Sequence, residues 1–156
     1  MKKSANRKHQ LIVEIISFLL IFLFVYAAFS KVLDFQKFRV QLGQSPLLTA
    51  FAGWIAWIIP SVEILISLML AIASWRLAGL YASFSLMVMF TAYIIAITRF
   101  SEYVPCSCGG VLQNMSWNQH LFFNIGFVLI ALAGILLHPL NRQEKQTGEP
   151  IPVVFT

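Results

Sequence analysis

Leu11 to Phe29 reads LIVEIISFLLIFLFVYAAF, and Glu14 is the one charged residue in it. A helix crossing the hydrocarbon core of a bilayer needs about 20 mostly apolar residues, and this run meets that length. Ahead of it, Met1 to Gln10 is a basic polar tail carrying Lys2, Lys3, Arg7 and Lys8. A basic start followed by an apolar run is also the layout of a cleaved signal peptide. The apolar part of a signal peptide spans only about 7–15 residues, however, and Ala28-Phe29-Ser30 makes a poor cleavage site. The run is therefore read as a first transmembrane helix, with Glu14 reaching headgroup water near Arg7 or Lys8. Composition extends that reading to the whole chain. Of 156 residues, 59% are hydrophobic and 11% are charged, against about 25% charged residues in a soluble domain. One integral membrane domain accounts for the length, with no room for a soluble module beside it. The net charge of +5 comes from basic residues at segment ends rather than on one face. They read as topology signals and contacts to anionic lipid, not as a nucleic-acid surface.

From Ser30 to Pro46 the chain is short and amphipathic. Asp34 is placed to cap a helix in which Phe35, Phe38 and Leu42 fall at i, i+3 and i+7, opposite Lys37, Arg39 and Gln41. Gly43 and Ser45-Pro46 end it, and such a helix lies in the interface rather than across it. A second span covers Leu47 to Ala73, with Trp54 and Trp57 toward one end and Trp75 past the other, as interfacial aromatics sit. Pro60 inside it is expected to kink it. A third span runs from Leu77 to Thr98 after a short turn around Arg76. Arg99 opens a polar loop, and a fourth span starts after Ser116 and ends near Leu137, where His138-Pro139 stops it. Ser116-x-x-Gln119 is a capping-box pattern. The expected fold is all-α, an antiparallel bundle of four transmembrane helices with a short interfacial helix after the first. Its parts are a basic tail at 1–10, a transmembrane domain at 11–137 that includes the loop at 99–120, and a flexible polar tail at 138–156.

Orientation follows from where the basic residues fall. With the N-terminus inside, the inner segments hold Lys2, Lys3, Arg7, Lys8, Arg76, Arg142 and Lys145, and the outer ones Lys31, Lys37, Arg39 and Arg99, seven against four. Both termini are thus expected in the cytoplasm. The loop then faces the periplasm of a bacterial inner membrane, where thiols are oxidised.

Both cysteines of the chain, Cys106 and Cys108, lie in the stretch Pro105 to His120, PCSCGGVLQNMSWNQH. Pro105 fixes φ, and Gly109-Gly110 admits backbone angles that other residues avoid, which suits a tight turn presenting two sulfurs. The bland alternative is a pair of incidental thiols. A bridge across one intervening residue needs that turn to bring the Cα atoms within about 4.4–6.8 Å, and such bridges are strained. Strain makes a disulfide easier to reduce, so the pair reads as one that exchanges rather than a staple. Cys106 and Cys108 are the candidate catalytic residues. His120, in the first turn of the fourth span, is the candidate base that helps form the attacking thiolate; its alternative is an interfacial polar residue. Two thiolates with Met115 and His120 would also suit copper(I), but Met115 in that position more often packs under a helix start, and no metal site is assigned. Glu63, near the middle of the second span, must pair or stay protonated. It reads as a proton acceptor or polar wall for a quinone headgroup, or else as a structural bond to Ser67, Tyr93 or the carbonyl that Pro60 leaves free. Asn124, one turn from His120, is a second candidate for that quinone or proton site, its alternative being a bond between helices.

The Ser30-Lys31 step, Asp34-Phe35, Pro60-x-x-Glu63 and Cys106-Ser107-Cys108-Gly109-Gly110 together resemble the DoxX/MauE family over nearly the whole chain. The resemblance implies a redox-associated four-helix membrane protein. The cysteine pair is closer to the MauE branch, implicated in maturing disulfide-containing periplasmic proteins alongside a thioredoxin-like partner. The DoxX branch is linked to quinone-coupled sulfur chemistry. Quinone-linked disulfide generators of the vitamin K epoxide reductase kind use two cysteine pairs in relay, and this chain has one. Two functions stay open. In the first, the pair exchanges electrons with a periplasmic thioredoxin-like or client protein, with quinone as the candidate acceptor. In the second, the chain is a non-catalytic accessory subunit of a larger envelope complex, its cysteines a structural clip.

Overall fold

A computed structural model describes residues 2–44, 49–100 and 116–146, and every element in them is helical. In order these are α1 (Lys2–Leu33), α2 (Phe35–Gln44), a short 3-10 turn (Thr49–Phe51), α3 (Ala52–Ala71), α4 (Arg76–Phe100) and α5 (Trp117–Gln146). Hydrocarbon offers no hydrogen bonds, so a spanning backbone must satisfy itself, and the helix does so within one segment. The side-chain hydroxyls follow the same rule. Those of Ser17, Ser61, Ser67, Ser83, Thr91 and Thr98 each donate to the carbonyl four residues earlier, at 2.7–2.9 Å. Four stretches are long and apolar enough to cross a membrane: Arg7–Leu33, Thr49–Ala71, Arg76–Arg99 and Trp117–His138. The protein is a multi-pass membrane protein.

α1 packs against α3 and α5, and α4 packs against the same two, so the four long helices close a ring in the order α1, α3, α4, α5. The short α2 lies on the start of α3. It begins right after Asp34, which occupies the expected capping position, where the Phe38 N–H donates to the Asp34 carbonyl at 2.9 Å. Phe38 and Leu42 are buried against Ala52 and Ala56 of α3, and the Phe35 ring meets that of Trp57 at 4.6 Å. Gln41, expected on the polar face, is buried as well, at 7% exposure. The rest of the surface is what lipid requires. Phe18, Phe22, Trp54, Trp57 and Phe122 all stand exposed.

Four boundaries differ from the sequence reading. The N-terminal stretch read as a tail is helical from Lys2, and α1 runs on to Leu33, so Lys31 lies inside a candidate span. The second span's helix ends at Ala71 rather than Ala73, while its expected start at Leu47 lies outside the described residues. Pro139 does not end α5. The apolar stretch stops at His138, but the helical backbone continues to Gln146, because a proline removes one backbone hydrogen bond without forbidding the next turn. Glu14 turns to neither Arg7 nor Lys8. Its Oε1 accepts from Gln10 Nε2 at 3.5 Å and lies 4.0 Å from Arg76 Nη1.

The bundle has two unlike ends. At the terminal end, where α1 begins and α5 finishes, Val13, Ile16, Leu20, Leu70, Leu80 and Ile135 form a continuous buried core. Two glycines let the helices close there. A Cβ on Gly134 would stand 3.0 Å from both Ile16 and Leu80, and one on Gly79 would stand 3.0 Å from the Leu70 nitrogen. At the junction end, where the chain leaves α4 and enters α5, the helices stand apart around a cavity.

Candidate functional site

The cavity at the junction end has a volume of about 430 Å³ and is walled by all five helices. Ala27 and Lys31 come from α1, Phe38 from α2, Glu63 from α3, Phe90 and Tyr93 from α4, and Trp117, His120 and Asn124 from α5. The helices position these groups by register. Glu63 follows Pro60 on the inward stripe of α3 that also carries Ala52, Ala56, Ser67 and Leu70. His120 and Asn124 lie one turn apart on α5 and share its face.

The polar feature of the cavity is a buried ion pair. Lys31 Nζ donates to Glu63 Oε1 at 2.7 Å, with the lysine side chain 14% and the glutamate side chain 1% exposed. Lys31 Nζ also donates to the Ala27 carbonyl at 3.3 Å. The rings of Phe38 and Phe90 flank it, their centroids 5.9 and 6.0 Å away, within cation–π range. An ammonium has three donors, and two are accounted for. The second carboxylate oxygen, Glu63 Oε2, meets no hydrogen-bond partner among the described residues. An acceptor and a donor are therefore left over side by side in an apolar chamber.

The sequence singled out Glu63 but not the residue that answers it. Of the partners weighed, Ser67 does bond at this position, but its hydroxyl donates to the Glu63 main-chain carbonyl at 2.9 Å, not to the carboxylate. Lys31 was counted as an outer-loop charge. The signal that could have found it is physical: a carboxylate inside a span calls for a cation at its own depth, and Lys31 lies within the first span near its junction end.

Of the other candidates, Glu63, His120 and Asn124 line this one chamber. The His120 ring stacks on that of Trp117, centroids 6.4 Å apart and planes 17° apart. The capping box before it is formed: Ser116 N–H donates to Gln119 Oε1 at 3.0 Å, and Gln119 N–H to Ser116 Oγ at 3.4 Å. Cys106, Cys108 and Met115 lie outside the described residues. The chain positions that flank that stretch, Phe100 and Ser116, belong to the junction end of α4 and α5. Among the described residues, no three of His, Cys, Asp or Glu converge as metal ligands would.

The family model described as "Methylamine utilisation protein MauE" matches residues 9–137. The chain belongs to the MauE family. The DoxX side of the resemblance gains no support from that match. No curated protein and no solved structure matches the chain. The match runs across all four spans and the cavity that MauE residues Lys31, Glu63, His120 and Asn124 line.

Proposed function

We propose that this MauE-family protein is a membrane thiol–disulfide redox component. Its Cys106–Cys108 disulfide takes electrons from a thioredoxin-like or client protein on the outer face and passes them to a quinone in the junction-end cavity. The observation that carries this reading is convergence. Three residues singled out in sequence, Glu63, His120 and Asn124, line one apolar chamber at the membrane end where the cysteine stretch joins α4 to α5. A chamber of about 430 Å³ lies within the range of about 300–1,000 Å³ that small ligands occupy, and its apolar walls suit a lipid-soluble ring.

The chemistry balances with one cysteine pair. A partner thiolate attacks the Cys106–Cys108 disulfide, a mixed disulfide forms, and the partner's second thiol resolves it. The partner leaves oxidised and the pair is left as two thiols. Those thiols then lose two electrons and two protons to the two ring oxygens of the quinone, re-forming the S–S bond and releasing a hydroquinone. His120 is the candidate base for the thiol proton. The orientation that puts the pair in the periplasm is the one the basic residues favour, seven in the inner segments against four in the outer ones.

The test is to replace each cysteine singly with serine and run membranes on a non-reducing gel. One of Cys106→Ser and Cys108→Ser should accumulate an adduct that a reductant dissolves. If neither does, and both variants support the wild-type phenotype, the protein is an accessory subunit instead.

A further inference from the structure

We infer that the junction-end cavity selects a ring bearing a free hydroxyl, the reduced hydroquinone form of the carrier, and that the Lys31–Glu63 pair makes the selection. The inference rests on the redox reading above and names what the chamber recognises. One hydroxyl is both donor and acceptor, and the pair leaves one of each. Glu63 spends Oε1 on Lys31 while Oε2 meets no partner among the described residues. Lys31 spends two donors, on Glu63 and on the Ala27 carbonyl, and keeps a third.

A ring O–H can donate to the carboxylate while its oxygen accepts from the ammonium. The terminal torsion of a glutamate is broad, so the unspent oxygen can turn to the cavity without leaving the pair. A quinone oxygen has no proton to give. It can take the ammonium's hydrogen bond but sets its lone pairs against the carboxylate, whose demand for a donor stays unmet. The apolar walls are indifferent to redox state: Phe38, Phe90 and Phe123 offer the same surface to either ring.

The consequence concerns the direction of electron flow. A site that holds the reduced ring more tightly raises the reduction potential of the bound couple, by about 30 mV for a tenfold preference in a two-electron reaction. That draws electrons from the dithiol toward the ring.

The experiment uses the full chain in nanodiscs under argon, with equilibrium dialysis of three probes: a decyl-substituted benzoquinone, its hydroquinone, and the dimethyl ether of that hydroquinone. The hydroquinone should bind about tenfold more tightly than the quinone, the worth of one charge-assisted hydrogen bond. The dimethyl ether, which has lost the donor, should bind no better than the quinone. Lys31→Met combined with Glu63→Leu, which removes both charges together, should bring hydroquinone and quinone to equal affinity. Equal or tighter binding of the quinone by the wild-type protein overturns the inference, as does binding of none of the probes. So does a dimethyl ether that matches the hydroquinone, a result that needs no variant to fold. If the preference is found while neither cysteine variant forms an adduct, the hydroxyl site stands and the thiol–disulfide reading falls. If adducts form and the quinone binds at least as well, this inference falls alone.

Discussion

At the terminal end of the bundle, Leu20, Leu70 and Leu80 are fully buried, and Gly134 draws α5 in until a Cβ would touch Ile16 and Leu80 at 3.0 Å. At the junction end the helices stand around about 430 Å³ of space, and the ion pair of Lys31 and Glu63 is set into its wall. Lipid is as apolar as leucine, so helices in a membrane gain little by hiding hydrocarbon. They hold together by close packing and by polar contacts. The terminal end uses the first device and the junction end the second. A bundle clasped tightly at one end and by a charge pair at the other can keep a chamber open without coming apart.

The sharpest way to break this contrast is to unbalance the junction end. Lys31→Met leaves Glu63 buried without its counter-charge and should cost about 3–5 kcal/mol, seen as a large drop in thermal unfolding temperature in detergent. The double change Lys31→Met/Glu63→Leu should recover most of that loss, because the cost lies in the stranded charge. At the terminal end, Leu70→Ala should lose about 2–5 kcal/mol through the cavity it opens in a filled core, measured by the same unfolding. Adding volume separates the ends further. Gly134→Leu has no room and should cost about 1–3 kcal/mol by overpacking. Ala27→Leu projects into the existing chamber and should change stability by less than about 1 kcal/mol while abolishing hydroquinone binding in the dialysis assay. The smallest effect should be Gly126→Ala, which meets no neighbour and should stabilise α5 by up to about 1 kcal/mol through helix propensity alone. If Ala27→Leu and Gly134→Leu destabilise equally, the two ends are packed alike and the contrast fails.

Much of the fold was legible because membrane helices announce themselves locally. The apolar runs, the helix start after Asp34 and the box at Ser116 and Gln119 depend on residues within a few positions of each other, and all appear where the sequence puts them. Boundaries were less legible. Nothing local tells whether the backbone stays helical beyond the hydrocarbon, so Lys2–Gln10 and Pro139–Gln146 were read as tails although the helices continue through them. In the candidate site, burying a carboxylate marked Glu63 by itself. Its answer, Lys31, lies thirty-two positions away, and no spacing rule connects two helices across that distance.

The sequence by itself determined that this chain has four stretches fit to cross a membrane, carries an amphipathic helix after the first, and resembles the MauE family. These follow from hydropathy, capping and short motifs, each set by neighbours along the chain. Only the tertiary structure decided which helices touch, that Gly79 and Gly134 close one end, and that Glu63, His120 and Asn124 face one chamber with Lys31. Those outcomes depend on rotation and depth of one helix against another. Close packing and the pairing of buried charges set both, and each is a property of two helices at once.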